Sequence, residues 1–265
     1  MGARARSSSL AAVAAAALLA ACGGTSAEQP RPAAAEPASV EVARATAPAR
    51  TCRPGGERRL GDRGVAYAAE APRGAVAFRS PGGARVRAFG PRNVNGYPTV
   101  FGVLGEVLGD ECEATWYRVQ LPIRPNGASG YVRAADVVLH RVRTRIEVDV
   151  SERRIVFLRD GRRVLAATAA VGSAATPTPL GRYYVNQRLR PADPDGPFGP
   201  AAIGISAFSP VLTGWAQGGP IAIHGTNDPG SVGRPVSNGC LRLPNDTLER
   251  LFGAVPAGTP VVIRA

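Results

Sequence analysis

The stretch from Ile221 to Leu243, I-A-I-H-G-T-N-D-P-G-S-V-G-R-P-V-S-N-G-C-L-R-L, constrains the chain more than any other. Ile221 and Ile223 alternate with smaller neighbours and read as the end of a strand that His224 terminates. Asn227, Asp228, Pro229, Gly230 and Gly233 then form a turn-rich connection that can fold back on that strand. Such a return brings Cys240, sixteen positions after His224, beside it. A thiol is a strong nucleophile as its thiolate, and a histidine within hydrogen-bond reach is the usual means of making one. Cys240 is therefore expected to ionise well below the ordinary thiol pKa of about 8.5. Gly239 lets the N–H groups of Asn238, Gly239 and Cys240 converge where a tetrahedral oxyanion needs donors. Each half alone reads as a satisfied core histidine or an inert small hydrophobe. Together, at this spacing, they point to chemistry.

H-G-T at His224–Thr226 followed by S-N-G-C-L-R-L at Ser237–Leu243 resembles the signature of the bacterial L,D-transpeptidase catalytic domain. The run T-P-T-P-L-G-R-Y from Thr176 to Tyr183 is similar to a second segment of that family. The resemblance covers residues 141–265 and implies a predominantly β catalytic domain with a short helix and the site at its centre. It implies Cys240 as nucleophile and His224 as base, with the Gly225 carbonyl orienting the imidazole. Asn238 and Gly239 would supply oxyanion donors, and Ser237, Thr226, Tyr183 and Arg242 would contact substrate. Arg242 either holds a substrate carboxylate or forms a structural ion pair. The partners implied are donor and acceptor stem peptides of peptidoglycan, joined with release of a terminal D-amino acid. Carbapenem-type inhibitors would acylate the same sulfur, and no cofactor is called for. The same thioester given to water makes an L,D-carboxypeptidase. A wall-binding lipoprotein whose site no longer turns over is the third reading.

Rival chemistries lack their residues. A metal site needs three or more clustered ligands, and the chain has two histidines and no C-x-x-C. G-x-S-x-G, G-x-x-x-x-G-K-[ST] and G-x-G-x-x-G are absent. The net charge is +12, and all 32 basic residues are arginine. These are scattered rather than clustered on one face, which argues against nucleic acid and suits residence beside anionic envelope polymers.

The N-terminus reads as an export signal over residues 1–21: Arg4 and Arg6, then an apolar run from Leu10 to Ala21, too short for the ~20 residues of a spanning helix. Leu19-Ala20-Ala21-Cys22 resembles the lipobox of bacterial lipoproteins, which implies lipidation of Cys22 and anchoring to the extracytoplasmic membrane face; the alternative is an ordinary signal peptide. Residues 22–50, rich in Ala and Pro, read as a tether.

Residues 51–140 carry short apolar runs between Gly, Pro and Asn, such as Val76-Ala77-Phe78, Val100 to Leu104 and Trp116 to Leu121. That spacing suggests a small barrel. Trp116 to Val132 resembles the closing strands of bacterial SH3-like domains, serving either wall binding or spacing. Of four cysteines, lipid on Cys22 and a free thiol at Cys240 leave Cys52 and Cys112 as a disulfide pair in an oxidising compartment. The mainly β pattern continues in 141–265. Strands are expected at Arg145 to Asp149, Arg154 to Arg159, Val164 to Val171 and Val261 to Ile263, with an Asp160-Gly161 hairpin turn and a helix over 244–253. Residues 188–200 read as a long loop, a lid or substrate wall.

Overall fold

The computed structural model describes residues 53–265 together with a two-residue strand, β1 (Ala33–Ala34), paired with Arg190 and Leu189. The export signal 1–21, Cys22, Cys52 and, apart from β1, the tether 22–50 lie outside the described residues.

The first sheet is antiparallel throughout. It holds β2 (Glu57–Arg59), β3 (Ala66–Glu70), β4 (Ala75–Phe78), β5 (Arg85–Phe89), β6 (Val100–Leu108), β7 (Ala114–Gln120), β8 (Ser129–Arg133) and β9 (Val138–Val142), in the order β5-β4-β8-β7-β6-β3-β9 with β2 on β6. Its strands alternate: Ala75 and Ala77 face in while Val76 and Phe78 are only partly covered. Small side chains dominate the core, with Phe101, Leu121, Val119 and Val132 filling around Ala69, Ala71 and Ala77. Cys112, with φ of 67°, is disulfide-bonded. β9 carries this sheet to residue 142, so the second sheet begins two residues later.

That second sheet holds β10 (Thr144–Asp149), β11 (Arg154–Arg159), β12 (Arg162–Thr168), β14 (Gly181–Arg190), β15 (Ala202–Phe208), β16 (Pro220–His224), β18 (Leu241–Arg242) and β19 (Pro260–Arg264), in the order β12-β11-β10-β19-β14-β15-β16-β18. β13 (Val171–Gly172) and β17 (Pro235–Ser237) pair separately, in parallel. The β11–β12 hairpin turns on Asp160 and Gly161, both at positive φ, the conformation a two-residue primed turn requires. The strand expected over 164–171 stops at Thr168 and resumes as β13, because Ala169 and Ala170 leave β11 and Ala170 bridges to Arg242. β14 runs through Arg190, so the loop expected at 188–200 is 191–201.

The helix α1 (Asn245–Ala254) buries Thr247, Leu248, Leu251 and Phe252, the i, i+3, i+4 stripe of a helix lying on a sheet. The helix expected over 244–253 thus begins and ends one residue later. Ile146, Ile155, Phe157, Ile203, Ile205, Ile221, Ile223 and Leu243 make the core beneath. The two sheets interlock within one compact unit. Gln120 Nε2 donates to the Arg182 carbonyl at 2.6 Å, Tyr184 Oη donates to the Val100 carbonyl at 3.1 Å, and Asn126 exchanges two bonds with the Phe208 backbone.

Candidate active site

His224 is the last residue of β16, and its position follows from the alternation before it: Ile221 and Ile223 are core, and the strand ends on a buried imidazole, 4% exposed. β18 lies parallel to β16, with Ile223 opposite Leu241 and His224 opposite Arg242. Side chains two apart on an extended chain share a face, so Cys240, two before Arg242, lies on the His224 side. A backbone hydrogen bond from Ala222 to the Cys240 sulfur fixes that neighbourhood. The fold-back read from the turn residues is thus a parallel strand return, and the structure brings His224 and Cys240 to one face.

His224 Nδ1 is 2.6 Å from the Gly225 carbonyl oxygen. A carbonyl only accepts, so the proton sits on Nδ1 and the Nε2 lone pair is left as the basic site. Burial pushes the imidazole pKa down to about 4, with the Arg242 charge pushing the same way and the Gly225 bond opposing. Burial also pushes the Cys240 thiol up; the Ala222 bond and the Arg242 charge pull it down without prevailing. This corrects the expectation of a pre-formed thiolate. Desolvation disfavours both charged forms, so the resting pair is neutral imidazole and neutral thiol. Such a pair can still do nucleophilic chemistry if Nε2 takes the proton as sulfur attacks.

The loop before Cys240 is locked by side chains. Ser237 Oγ donates to the Cys240 carbonyl at 2.5 Å and accepts the Gly239 N–H at 3.1 Å. Gly239 adopts φ of 106°, and a Cβ there would stand 2.9 Å from Ile221 Cδ1, so glycine is required. The Ser237 carbonyl accepts from Ser173 N at 3.0 Å and Thr176 Oγ1 at 2.9 Å, and Thr178 Oγ1 accepts the Gly172 N–H at 2.8 Å. The T-P-T-P run is therefore a buttress under the loop that carries Cys240.

Several expected substrate contacts are corrected by this network. Ser237 is 1% exposed, with its hydroxyl already both donating and accepting. Gly239's N–H, expected as an oxyanion donor, is given to Ser237. Thr226 is 3% exposed; its hydroxyl caps the turn at Asp228 and its N–H donates to Asn245 Oδ1 at 2.8 Å. Tyr183 is in the core and donates its hydroxyl to the Leu180 carbonyl at 2.9 Å. Asn238 is exposed next to Cys240. Arg242 touches the electrostatics of both His224 and Cys240, and its Nε is buried without a hydrogen-bond partner among the described residues.

Sequence reasoning missed Phe198, Gly199 and Asn245. The Phe198 ring stands 5.0 Å from the imidazole, centroid to centroid, at 67°. Gly199, at φ of 61°, crosses Gly225 so closely that a Cβ would meet Asn245 Oδ1 at 2.6 Å and Gly225 Cα at 2.8 Å. The Pro-Phe-Gly-Pro run was the available signal: a glycine between prolines marks a fixed loop, though not what the loop touches. Among the described residues no group of three His, Cys, Asp or Glu side chains is placed to hold a metal ion.

Residues 143–263 match the family profile of the L,D-transpeptidase catalytic domain, YkuD. The chain is 34% identical over 118 residues to the provisionally named L,D-transpeptidase YkuD of Bacillus subtilis (strain 168), a match covering 44% of this chain and 64% of that protein. It is 42% identical over 94 residues to the provisionally named L,D-transpeptidase ErfK/SrfK of Escherichia coli (strain K12), covering 33% of this chain and 26% of that one. The chain thus spans less than two thirds of the length of either relative. The NMR structure of the Enterococcus faecium L,D-transpeptidase catalytic domain aligns with a TM-score of 0.34 at 26% identity, over 46% of this chain and 96% of that domain. A buried imidazole and a thiol on one face are what a catalytic segment of this kind would need, and residues 143–263 are similar to the L,D-transpeptidase catalytic domain family in just the segment that carries them.

Proposed function

We propose that the protein is a peptidoglycan L,D-transpeptidase working through a Cys240 thioester. The observation that carries the reading is the Gly225 carbonyl 2.6 Å from His224 Nδ1, which frees Nε2 on the face Cys240 shares. Cys240 sulfur attacks the carbonyl after the third residue of a donor stem as its proton passes to Nε2. The C–N bond breaks, the proton goes to the departing amine, and a D-amino acid leaves. An acceptor side-chain amine then attacks the thioester, its proton passes through His224 to sulfur, and a new amide cross-link forms. The N–H groups of Asn238 and Cys240 are assigned to the oxyanion, and Arg242 to a substrate carboxylate. One such donor is worth about 10²–10³ in rate.

Around this core we place the remaining sequence expectations. Cys22 carries the lipid that holds the enzyme on the extracytoplasmic face, Cys52 pairs with Cys112, and residues 51–140 form an SH3-like module serving the wall. A Cys22→Ala variant should leave the membrane fraction; equal retention would refute anchoring there. Purified protein given a stem tetrapeptide should release the terminal D-amino acid. With an amine acceptor it should yield a cross-linked product by mass spectrometry. A carbapenem should add one adduct on Cys240, absent in Cys240→Ala. Release without any cross-link at saturating acceptor assigns the hydrolase, and neither product with no adduct assigns a wall-binding lipoprotein.

A further inference from the structure

Phe198 is half exposed, while the imidazole its ring edge meets is only 4% exposed. The Phe198 ring therefore covers part of the imidazole, with its own outer part in solvent. The position is held rigidly. Gly199 N–H donates to the Gly196 carbonyl at 2.9 Å, and Gly225 N–H to the Ala201 carbonyl at 3.3 Å. The Pro200 carbonyl accepts from Arg190 Nη1 at 3.1 Å, and that guanidinium pairs with Glu249 on α1 at 2.9 Å through Nη2. The tight Gly199–Gly225 crossing pins the loop directly to the residue that orients His224. Leaving half of a phenyl ring in water forgoes burial it would otherwise gain. The surrounding bonds nevertheless hold it there.

We propose that Phe198 is a water shield over His224 that sets how the acyl-enzyme divides between an amine acceptor and water. The inference rests on the acyl-transfer reading of the same site. In both outcomes the nucleophile adds to the thioester carbon as it gives a proton to His224 Nε2. The C–S bond then breaks and the proton returns to sulfur. An amine leaves an amide, and water leaves a carboxylic acid. The two routes need the same lone pair, so the product follows from which nucleophile waits beside it. An amine arrives on a bound peptide with contacts of its own. Water has only an open path, and the Phe198 ring, 5.0 Å from the imidazole centroid to centroid, narrows the approach to it. Phe198 is thus a positioning residue acting by exclusion. The burial it provides agrees with the depressed imidazole pKa, whose other charged influence is Arg242 from β18, with Cys240 the neighbouring ionisable group.

The test compares full-length Phe198→Ala, Phe198→Ser and Phe198→Leu with the parent. Folding is checked by circular dichroism, and two readouts are taken. One is the imidazole titration of His224 by NMR. The other is the ratio of hydrolysed to cross-linked product at fixed acceptor. Phe198→Ala and Phe198→Ser should raise the imidazole pKa from about 4 towards the ordinary value of about 6.5. They should also raise the hydrolysis ratio about tenfold. Phe198→Leu should restore both. A folded alanine or serine variant with unchanged titration overturns the shield. So does one in which both products fall together at constant ratio, which marks a structural residue only. If the parent forms neither product, the acyl-transfer reading and the product-partitioning role fall with it, and the titration still decides whether Phe198 screens the imidazole.

Discussion

His224 and Gly225 hold one another: the ring nitrogen Nδ1 donates to the carbonyl of the very next residue across 2.6 Å. A catalytic imidazole is more often steered by a carboxylate, which would also stabilise its charged form. A carbonyl orients the ring with a weaker pull on the proton, and burial then dominates. The consequence is a base that stays neutral far into acid, beside a thiol that stays protonated into alkali.

The pH dependence follows from those directions. With neutral His224 as the base of the proposed mechanism, catalysis should keep its acid limb near 4, where the imidazole protonates. Iodoacetamide labelling of Cys240 should be slow at neutral pH and climb only above the ordinary thiol range of about 8.5. Stability should respond with the opposite sense at the two ends. Between about 4 and 6.5 the unfolded chain binds a proton at His224 that the folded chain refuses, so stability is lost as pH falls through that window. Above the ordinary thiol range the unfolded chain releases the Cys240 proton first, so stability is lost as pH rises. Thermal melts across pH 3–10, compared with Cys240→Ala and His224→Gln, check both ends; fast labelling at pH 6 would contradict the neutral pair.

Gly199→Ala should damage both fold and site. The left-handed φ of 61° costs a side chain about 1–2 kcal/mol. A Cβ at 2.6 Å from Asn245 Oδ1 and 2.8 Å from Gly225 Cα adds about 1–3 kcal/mol of overpacking. A fall in Tm of about 5–15 °C is expected. Any relaxation displaces Gly225 and with it the imidazole, so kcat should drop even below the melting range. A variant with parental Tm and kcat would mean the crossing is not tight in solution.

Local rules made part of this legible. The His224 strand end, the Asp160-Gly161 hairpin and the α1 stripe follow from alternation, turn residues and helical spacing, each settled within a few residues. Ser237, Thr226 and Tyr183 were polar groups in the right segments, and that much the sequence told. Whether their hydroxyls were already occupied depended on backbone groups of β13, the Asp228 turn and Leu180, which only the folded register supplies. Phe198 was missed for the same reason. Its partner lies 26 positions away, across a loop whose path no periodicity records.

Ser237→Ala separates a structural hydroxyl from a substrate contact. Removing Oγ leaves the buried Gly239 N–H and the Cys240 carbonyl without their partner, which costs about 1–3 kcal/mol. The nucleophile loop loses its lock, and a shift of about 1 Å at a reacting atom costs on the order of 10² in rate. We expect kcat to fall with KM unchanged and Tm to drop. A rise in KM alone, at constant Tm, would restore Ser237 to the substrate.

Arg242→Gln carries the most specific signature. The guanidinium lies close enough to lower the pKa of both His224 and Cys240. Withdrawing a positive charge makes the imidazolium less unfavourable, so the His224 pKa rises. The same change leaves the thiolate less stabilised, so the Cys240 pKa rises too. The two limbs, the acid limb of catalysis and the onset of thiol labelling, should therefore move upward together, whereas desolvation changes, as at Phe198, move the two groups in opposite directions. The buried Nε lacks a partner among the described residues, and a substrate carboxylate is the ligand proposed above for this guanidinium. A lost charge-assisted bond is worth about 1.5–3 kcal/mol, or roughly 10–100-fold in KM. Arg242→Lys should recover the pH limbs by keeping the charge and recover KM only partly, since an ammonium lacks the planar fork. Unchanged KM with a lower Tm in Arg242→Gln would instead make Arg242 a structural cation, and upward movement of one limb without the other would show that its charge does not reach the pair.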